Sequence, residues 1–147
     1  MTKDKVFFID TNVLIYAFEK EASEKKEIAK SIIDECFDGK NFLAVSNQIL
    51  AEFFFIATEK LKVDKNEAKK VMEKIIERET ITKTRYTEET TLSAIDIQKE
   101  SKMPFWDSLI AATMLENNIG TIYTENTRDF SIAGITAINP FSKSSHS

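Results

Sequence analysis

Cysteine, histidine, glycine and proline are all scarce in this chain of 147 residues, and each scarcity removes a class of explanation. The single cysteine, Cys36, has no partner in the chain. That excludes a disulfide scaffold and a cysteine zinc cluster, and suits a reducing, intracellular setting. The only histidine, His146, lies beside the C-terminus, which disfavours a Ser-His-Asp or Cys-His arrangement or a His-rich zinc site within one chain. Gly39, Gly120 and Gly134 stand far apart, so no glycine-rich phosphate loop can be written and a nucleotide cofactor held that way is not expected. No apolar run approaches the roughly 20 residues that cross a bilayer, which argues against a membrane protein. Residues 1–5 lack the features of a signal peptide, and a cytoplasmic location is the expectation.

What is present is an ordinary globular composition, 42% hydrophobic and 30% charged, enough for one domain with its own core. The run Val6-Phe7-Phe8-Ile9 is apolar and rich in strand formers without alternation, as in a strand buried on both faces, and it stops at Asp10. A helical pattern covers residues 13 to about 19. After Ser23, apolar residues recur at helix spacing as far as Gly39, a C-terminal cap. Phe42-Leu43-Ala44-Val45 reads as a second strand, followed by a helix capped at Ser46 or Asn47. Asp64-Lys65-Asn66-Glu67 resembles a capping box opening a helix with an apolar stripe at Ala68, Val71, Met72, Ile75 and Ile76. Residues 81–84 suggest a short strand. Thr87 opens a helix expected to turn Leu92 and Ile95 inward, and the helix after Pro104 is apolar nearly all round, hence buried. Residues 121–124 and 135–138 are the last strand candidates, joined by a polar loop that leads to Asp129. Alternating strands and helices predict an α/β fold with a central parallel sheet flanked by helices on both faces. The domain is expected to span residues 1–141, with 142–147 a disordered tail.

In open parallel sheets the functional crevice lies beyond the carboxyl ends of the strands. Asp10 ends the first strand, Asp129 follows the strand at 121–124, Glu52 sits among apolar residues after the second strand, and Asp107 opens a buried helix. Gathered in one crevice, these acids would raise one another's pKa values unless a cation neutralised them, and all-oxygen ligands suit Mg²⁺ or Mn²⁺. Taken singly, each has a plainer reading: Asp10 and Asp107 as helix caps, Glu52 on a solvent face, Asp129 as a turn residue.

A resemblance covering about residues 6–141 joins them. Asp10-Thr11-Asn12-Val13-Leu14-Ile15-Tyr16-Ala17-Phe18 resembles the opening motif of PIN-domain nucleases, especially VapC-type toxins of toxin-antitoxin pairs. Glu52, the Phe105-Trp106-Asp107-Ser108-Leu109-Ile110-Ala111-Ala112 block and Thr124-Glu125-Asn126-Thr127-Arg128-Asp129-Phe130 are similar to the later motifs, in the family's order. The resemblance implies a small α/β domain, an acidic Mg²⁺ or Mn²⁺ site and RNA cleavage leaving a 5′-phosphate and a 3′-hydroxyl. Asp10, Glu52 and Asp107 match the family's core acids. Many relatives carry an aspartate where this chain has Asn126, so Asp129 or Glu125 would supply the fourth carboxylate, with Asn126 ligating through its amide oxygen or a water. Thr11 and Asn12 match residues that orient Asp10 by hydrogen bonds, or else serve as helix caps. The resemblance also implies a homodimer inhibited by a VapB-like antitoxin.

The net charge of −4 is unevenly spread: residues 60–85 hold nine Lys and Arg against five Asp and Glu, a local excess of +4. Lys70, Lys74 and Arg78, at i, i+4 and i+8, would make a phosphate track for RNA or an ordinary solvated helix face. Phe53-Phe54-Phe55 spreads three rings around about 200° of a helix, by burial on two sides or with a ring exposed toward a dimer or antitoxin groove. Receivers and aspartate-nucleophile phosphatases are disfavoured, because residues 5–12 offer Asp10 alone. A binding module with a degraded metal site, or a housekeeping nuclease outside any toxin-antitoxin pair, remains as the alternative.

Overall fold

A computed structural model describes residues 5–142 of the chain. Its elements run β1 (Val6–Ile9), α1 (Thr11–Tyr16), α2 (Glu24–Phe37), β2 (Phe42–Ser46), α3 (Asn47–Glu59), α4 (Lys65–Glu77), β3 (Ile81–Thr84), α5 (Glu88–Glu100), α6 (Phe105–Glu116), β4 (Thr121–Tyr123) and β5 (Thr136–Ile138), with a 3-10 turn at Thr127–Phe130 between the last two strands. Of the tail expected at 142–147, all but Ser142 lies outside the described residues.

All five strands are parallel, in the order β3-β2-β1-β4-β5. The chain steps outward from β1 to β2 and β3, then returns across the sheet to place β4 on the other side of β1. Right-handed crossovers therefore lay α1 to α4 over one face and α5 and α6 over the other. The direction of winding reverses between β1 and β4, and there the carboxyl ends of the strands splay into a crevice. Phe8, Ile9, Ala44, Val45 and Ile122, from the three central strands, form the floor of the core. On the outer strand β3 only Ile81 and Thr84 are buried, and Thr82 and Lys83 face solvent, so the edge is short and polar.

Local signals account for the helix starts. Ser23, Ser46, Asp64 and Thr87 each accept a backbone N–H of the first turn, and Thr87 and Thr90 form a reciprocal capping box. Gly39, at φ 79°, supplies the left-handed residue that ends α2.

Three expectations are corrected. Leu92 and Ile95 do not face inward: they are 58% and 40% exposed, because α5 meets α6 through the small residues Thr90 and Ala94 instead. Ile76 leaves the apolar stripe of α4 and is also exposed, since Ala68 and Ile75 already fill the contact. Arg78 does not continue that helix. It turns to an extended conformation at the C-cap, where its guanidinium donates to the Phe37 carbonyl at 2.6 Å and lies over the Phe37 ring.

Candidate active site

Asp10 stands where β1 ends and α1 begins, and 7% of it is exposed. Both of its readings hold at once. As the N-cap of α1 it accepts the Thr11 backbone N–H at 2.7 Å, and its second oxygen accepts the Thr124 hydroxyl at 2.8 Å and the Asn12 amide at 3.4 Å. Burial raises its pKa, the Thr124 and Thr11 hydrogen bonds oppose that, and the nearby Asp129 charge adds to it. Thr11 thus acts on Asp10 through its backbone, and Asn12 through its side chain. The Asn12 amide oxygen also accepts the Glu125 N–H at 3.4 Å, tying α1 to the loop after β4.

Asp107 lies in the first turn of α6, but it is not a cap: Pro104 occupies that position, without a side-chain hydrogen bond. Its carboxyl is free to face the crevice, where it shares a hydrogen bond with Asp129. Burial first, then the charges of Asp10 and Asp129, the Asp129 hydrogen bond and the Glu52 charge push its pKa up to about 7. Glu52, on the second turn of α3, is half-buried. Burial raises its pKa, Gln48 lowers it through a hydrogen bond, and Asp10 raises it further. One oxygen of Glu52, Oε1, is buried without a partner.

Four elements therefore bring Asp10, Glu52, Asp107 and Asp129 into one electrostatic field at the sheet's switch point. Each acid that shifts is pushed toward its neutral form, by burial first, with its acidic neighbours adding to the shift. Among the described residues, no three Asp, Glu, His or Cys side chains form a group closed enough to hold a metal ion as they stand. The donor chemistry nevertheless fits a hard divalent cation: every donor is a carboxylate oxygen, and one of them, Glu52 Oε1, is buried and unpaired.

Glu125 and Asn126 stand differently. The Glu125 carboxylate accepts the Tyr16 hydroxyl at 2.9 Å and pairs with Lys25 at 2.6 Å, so its oxygens are committed to α1 and α2. Asn126 is exposed, and its backbone N–H donates to the Thr124 hydroxyl at 3.0 Å. Of the basic stripe, Lys70 and Lys74 are exposed on α4, while Arg78 is engaged with Phe37. Of the three consecutive phenylalanines, Phe53 is buried, Phe54 half-buried and Phe55 61% exposed.

Sequence reasoning gave no role to Thr124 or Gln48. Thr124 is completely buried and is the hinge of the site, donating to Asp10 while it accepts from Asn126. Its position directly after an apolar strand was the available signal. Gln48 precedes Glu52 by one helical turn, a spacing that puts both on one face. Its amide nitrogen donates to the Trp106 carbonyl at 3.0 Å.

No curated protein sequence is significantly similar to this chain. Solved structures are. VapC20 of Mycobacterium tuberculosis, a sarcin-ricin loop cleaving toxin, superposes with a TM-score of 0.67 at 18% identity, over 90% of this chain and 97% of the other. A toxin-antitoxin complex from Klebsiella pneumoniae gives 0.65 at 20% identity, over 91% and 97%. VapBC2 of Rickettsia felis, bound to a DNA fragment from its promoter, gives 0.63 at 19%, over 91% and 98%. At such identities the likeness is one of fold. The PIN domain family model matches residues 7–135, nearly the full described length, and the chain belongs to the PIN domain family.

Proposed function

We propose that this PIN domain is a metal-dependent endoribonuclease, the toxin of a VapBC-type pair. The observation that carries the reading is the convergence of Asp10, Glu52, Asp107 and Asp129 from four elements, with no basic partner among the described residues. Asp10, Asp107 and Asp129 would hold Mg²⁺ or Mn²⁺, with Glu52 a further ligand directly or through water. When bound, the ion supplies Lewis acidity to a phosphodiester and lowers the pKa of a water.

The chain's own groups do the rest. Thr124, Thr11 and Asn12 fix the Asp10 carboxylate, so it need not reorganise during the reaction. Asp107, on the first turn of α6, would orient the attacking water and accept its proton at a carboxylate oxygen. Water oxygen bonds to phosphorus as the bond to the 3′-oxygen breaks. That oxygen leaves as a hydroxyl once protonated, and the 5′ side keeps the phosphate.

Partners follow the same reading. The exposed Leu92 and Ile95 on α5 are proposed to face a second copy, and a VapB-like antitoxin is proposed as inhibitor. The structural relatives that are toxin-antitoxin complexes support the antitoxin. Lys70 and Lys74 are proposed to guide RNA, and neutralising both should flatten the salt dependence of RNA binding.

The test is cleavage of a sarcin-ricin loop oligonucleotide and of total tRNA in Mn²⁺. Wild type should cut at least one of them, and Asp107→Asn, still folded, should cut at least about 100-fold more slowly. Equal rates would refute the assignment. A binding-only PIN module is the second reading, favoured by the open arrangement of the acids, and it predicts that the biological effect survives Asp10→Asn.

A further inference from the structure

Beside the acid cluster, on the side of α3 and α6, lies a groove of about 820 Å³ lined by Gln48, Glu52, Phe55, Lys60, Tyr86 and Trp106. Its aromatic content is unusual for an exposed surface: Trp106 is 60% and Phe55 61% exposed, and Tyr86, partly buried against the α5–α6 contact, completes the lining. Soluble domains rarely leave large rings together in water without an occupant.

These rings are held in place. The ring centroids of Trp106 and Phe105 lie 5.2 Å apart at an interplanar angle of 76°, and the Trp106 carbonyl accepts from the Gln48 amide. Asn47 accepts the Tyr86 N–H at 3.0 Å. Two polar atoms of the lining, Gln48 Oε1 and Glu52 Oε1, are buried and have no hydrogen-bond partner. The Gln48 amide cannot be reversed to relieve this, because its nitrogen must face the Trp106 carbonyl. Gln48 is 5% exposed, so a buried acceptor without a donor borders the groove.

The occupant must satisfy all of these features. Flat faces want a planar ring, the unpaired Gln48 acceptor wants an N–H donor, and Lys60 at the rim wants an anion. Glu52 belongs both to the groove and to the acid cluster, so a strand whose phosphate reaches the acids has a neighbouring nucleotide within reach of the rings. We propose that this groove is a base-stacking subsite, in which an unpaired base of single-stranded RNA next to the scissile phosphate stacks on Trp106 and Tyr86. The inference rests on the nuclease reading for its substrate. Stacking of this kind is tolerant of sequence and is carried mainly by the rings.

Trp106 is the chain's single tryptophan, so its fluorescence reports on this groove alone. The experiment titrates metal-free full-length protein, which cannot cut, with an RNA hexamer and with an abasic hexamer of equal charge. End-label anisotropy measures total binding in parallel. RNA should quench Trp106 saturably, the abasic strand should bind without quenching, and Tyr86→Leu should weaken RNA binding about tenfold.

RNA binding that leaves Trp106 emission unchanged would overturn the proposal, as would an absence of RNA binding. An emission that follows protein concentration instead of RNA would assign the groove to a second copy, and also overturns it. The two readings fail separately. Cleavage in Mn²⁺ with an unquenched Trp106 refutes the subsite alone, whereas RNA-dependent quenching without cleavage of any RNA refutes the nuclease and keeps the subsite.

Discussion

A carboxylate with a pKa near 7 does two jobs at once, and Asp107 illustrates the tension between them. In the metal-free protein it keeps its proton to about pH 7, whereas in the unfolded chain it loses it near the ordinary value of 3.8. Between those values the folded state binds more protons, so stability falls as pH rises through that window and levels off above about 7. Asp107→Asn removes this penalty. Metal-free Asp107→Asn should therefore be more stable than wild type at pH 8 by about 1 kcal/mol, after discounting for its contact with solvent, and equal to it near pH 4. Urea unfolding at the two pH values checks the sign. The same proton competes with a cation: Mn²⁺ affinity should rise roughly tenfold per pH unit up to about pH 7 and then flatten, as calorimetric titration at several pH values would show. Resemblance to the family's motifs singled out Asp10, Glu52 and Asp107, since each taken alone had a plainer reading as a cap or a solvent-face residue. It could not decide among Glu125, Asn126 and Asp129. Glu125 is engaged by Lys25 and Tyr16, 100 and 109 residues away in sequence, a pairing that no local pattern shows.

Elements deliver these side chains, and their starts were the most readable part of the chain. Capping is a local matter: Ser23, Ser46, Asp64 and Thr87 each bond within their own first turn, so the residues involved are neighbours in sequence. Ser46 ends β2 and caps the helix that carries Glu52, donating nothing to the crevice but accepting the Ile49 N–H at 3.2 Å. Ser46→Ala should cost about 1 kcal/mol in urea unfolding, more if the buried hydroxyl leaves the N–H unpaired. Helix faces were less readable. Leu92 and Ile95 have the spacing of a core stripe, yet the close approach of α5 to α6 needs small residues at Thr90 and Ala94, which turns the leucine and isoleucine outward. Apolar periodicity identifies a face that avoids water without saying whether the cover comes from the same chain. The extended conformation of Arg78 was hidden for a similar reason, since the carbonyl and ring of Phe37 that hold it are distant in sequence.

At the scale of the whole molecule, the parallel order β3-β2-β1-β4-β5 explains why residues nearly 120 positions apart come together: beside β1, where the winding reverses, the ends of β1 and β4 face the starts of α3 and α6. Alternating strands and helices made the sheet predictable, and with it the crevice, but not how far the acids close upon one another. The outward face of α5 belongs to this scale too. If it meets a second copy, Leu92→Glu should turn a dimer into a monomer in sedimentation velocity with the metal site intact; an unchanged sedimentation coefficient would remove α5 from the interface. The central claim is that Asp10 and Asp107 build one cation site. It is tested most directly by calorimetric titration of Mn²⁺ at pH 7.5 into wild type, Asp10→Asn, Asp107→Asn and Glu125→Gln. The account predicts binding by wild type and Glu125→Gln, and at least about tenfold weaker binding by each aspartate variant. Equal binding by all four proteins, or none by wild type, would contradict it.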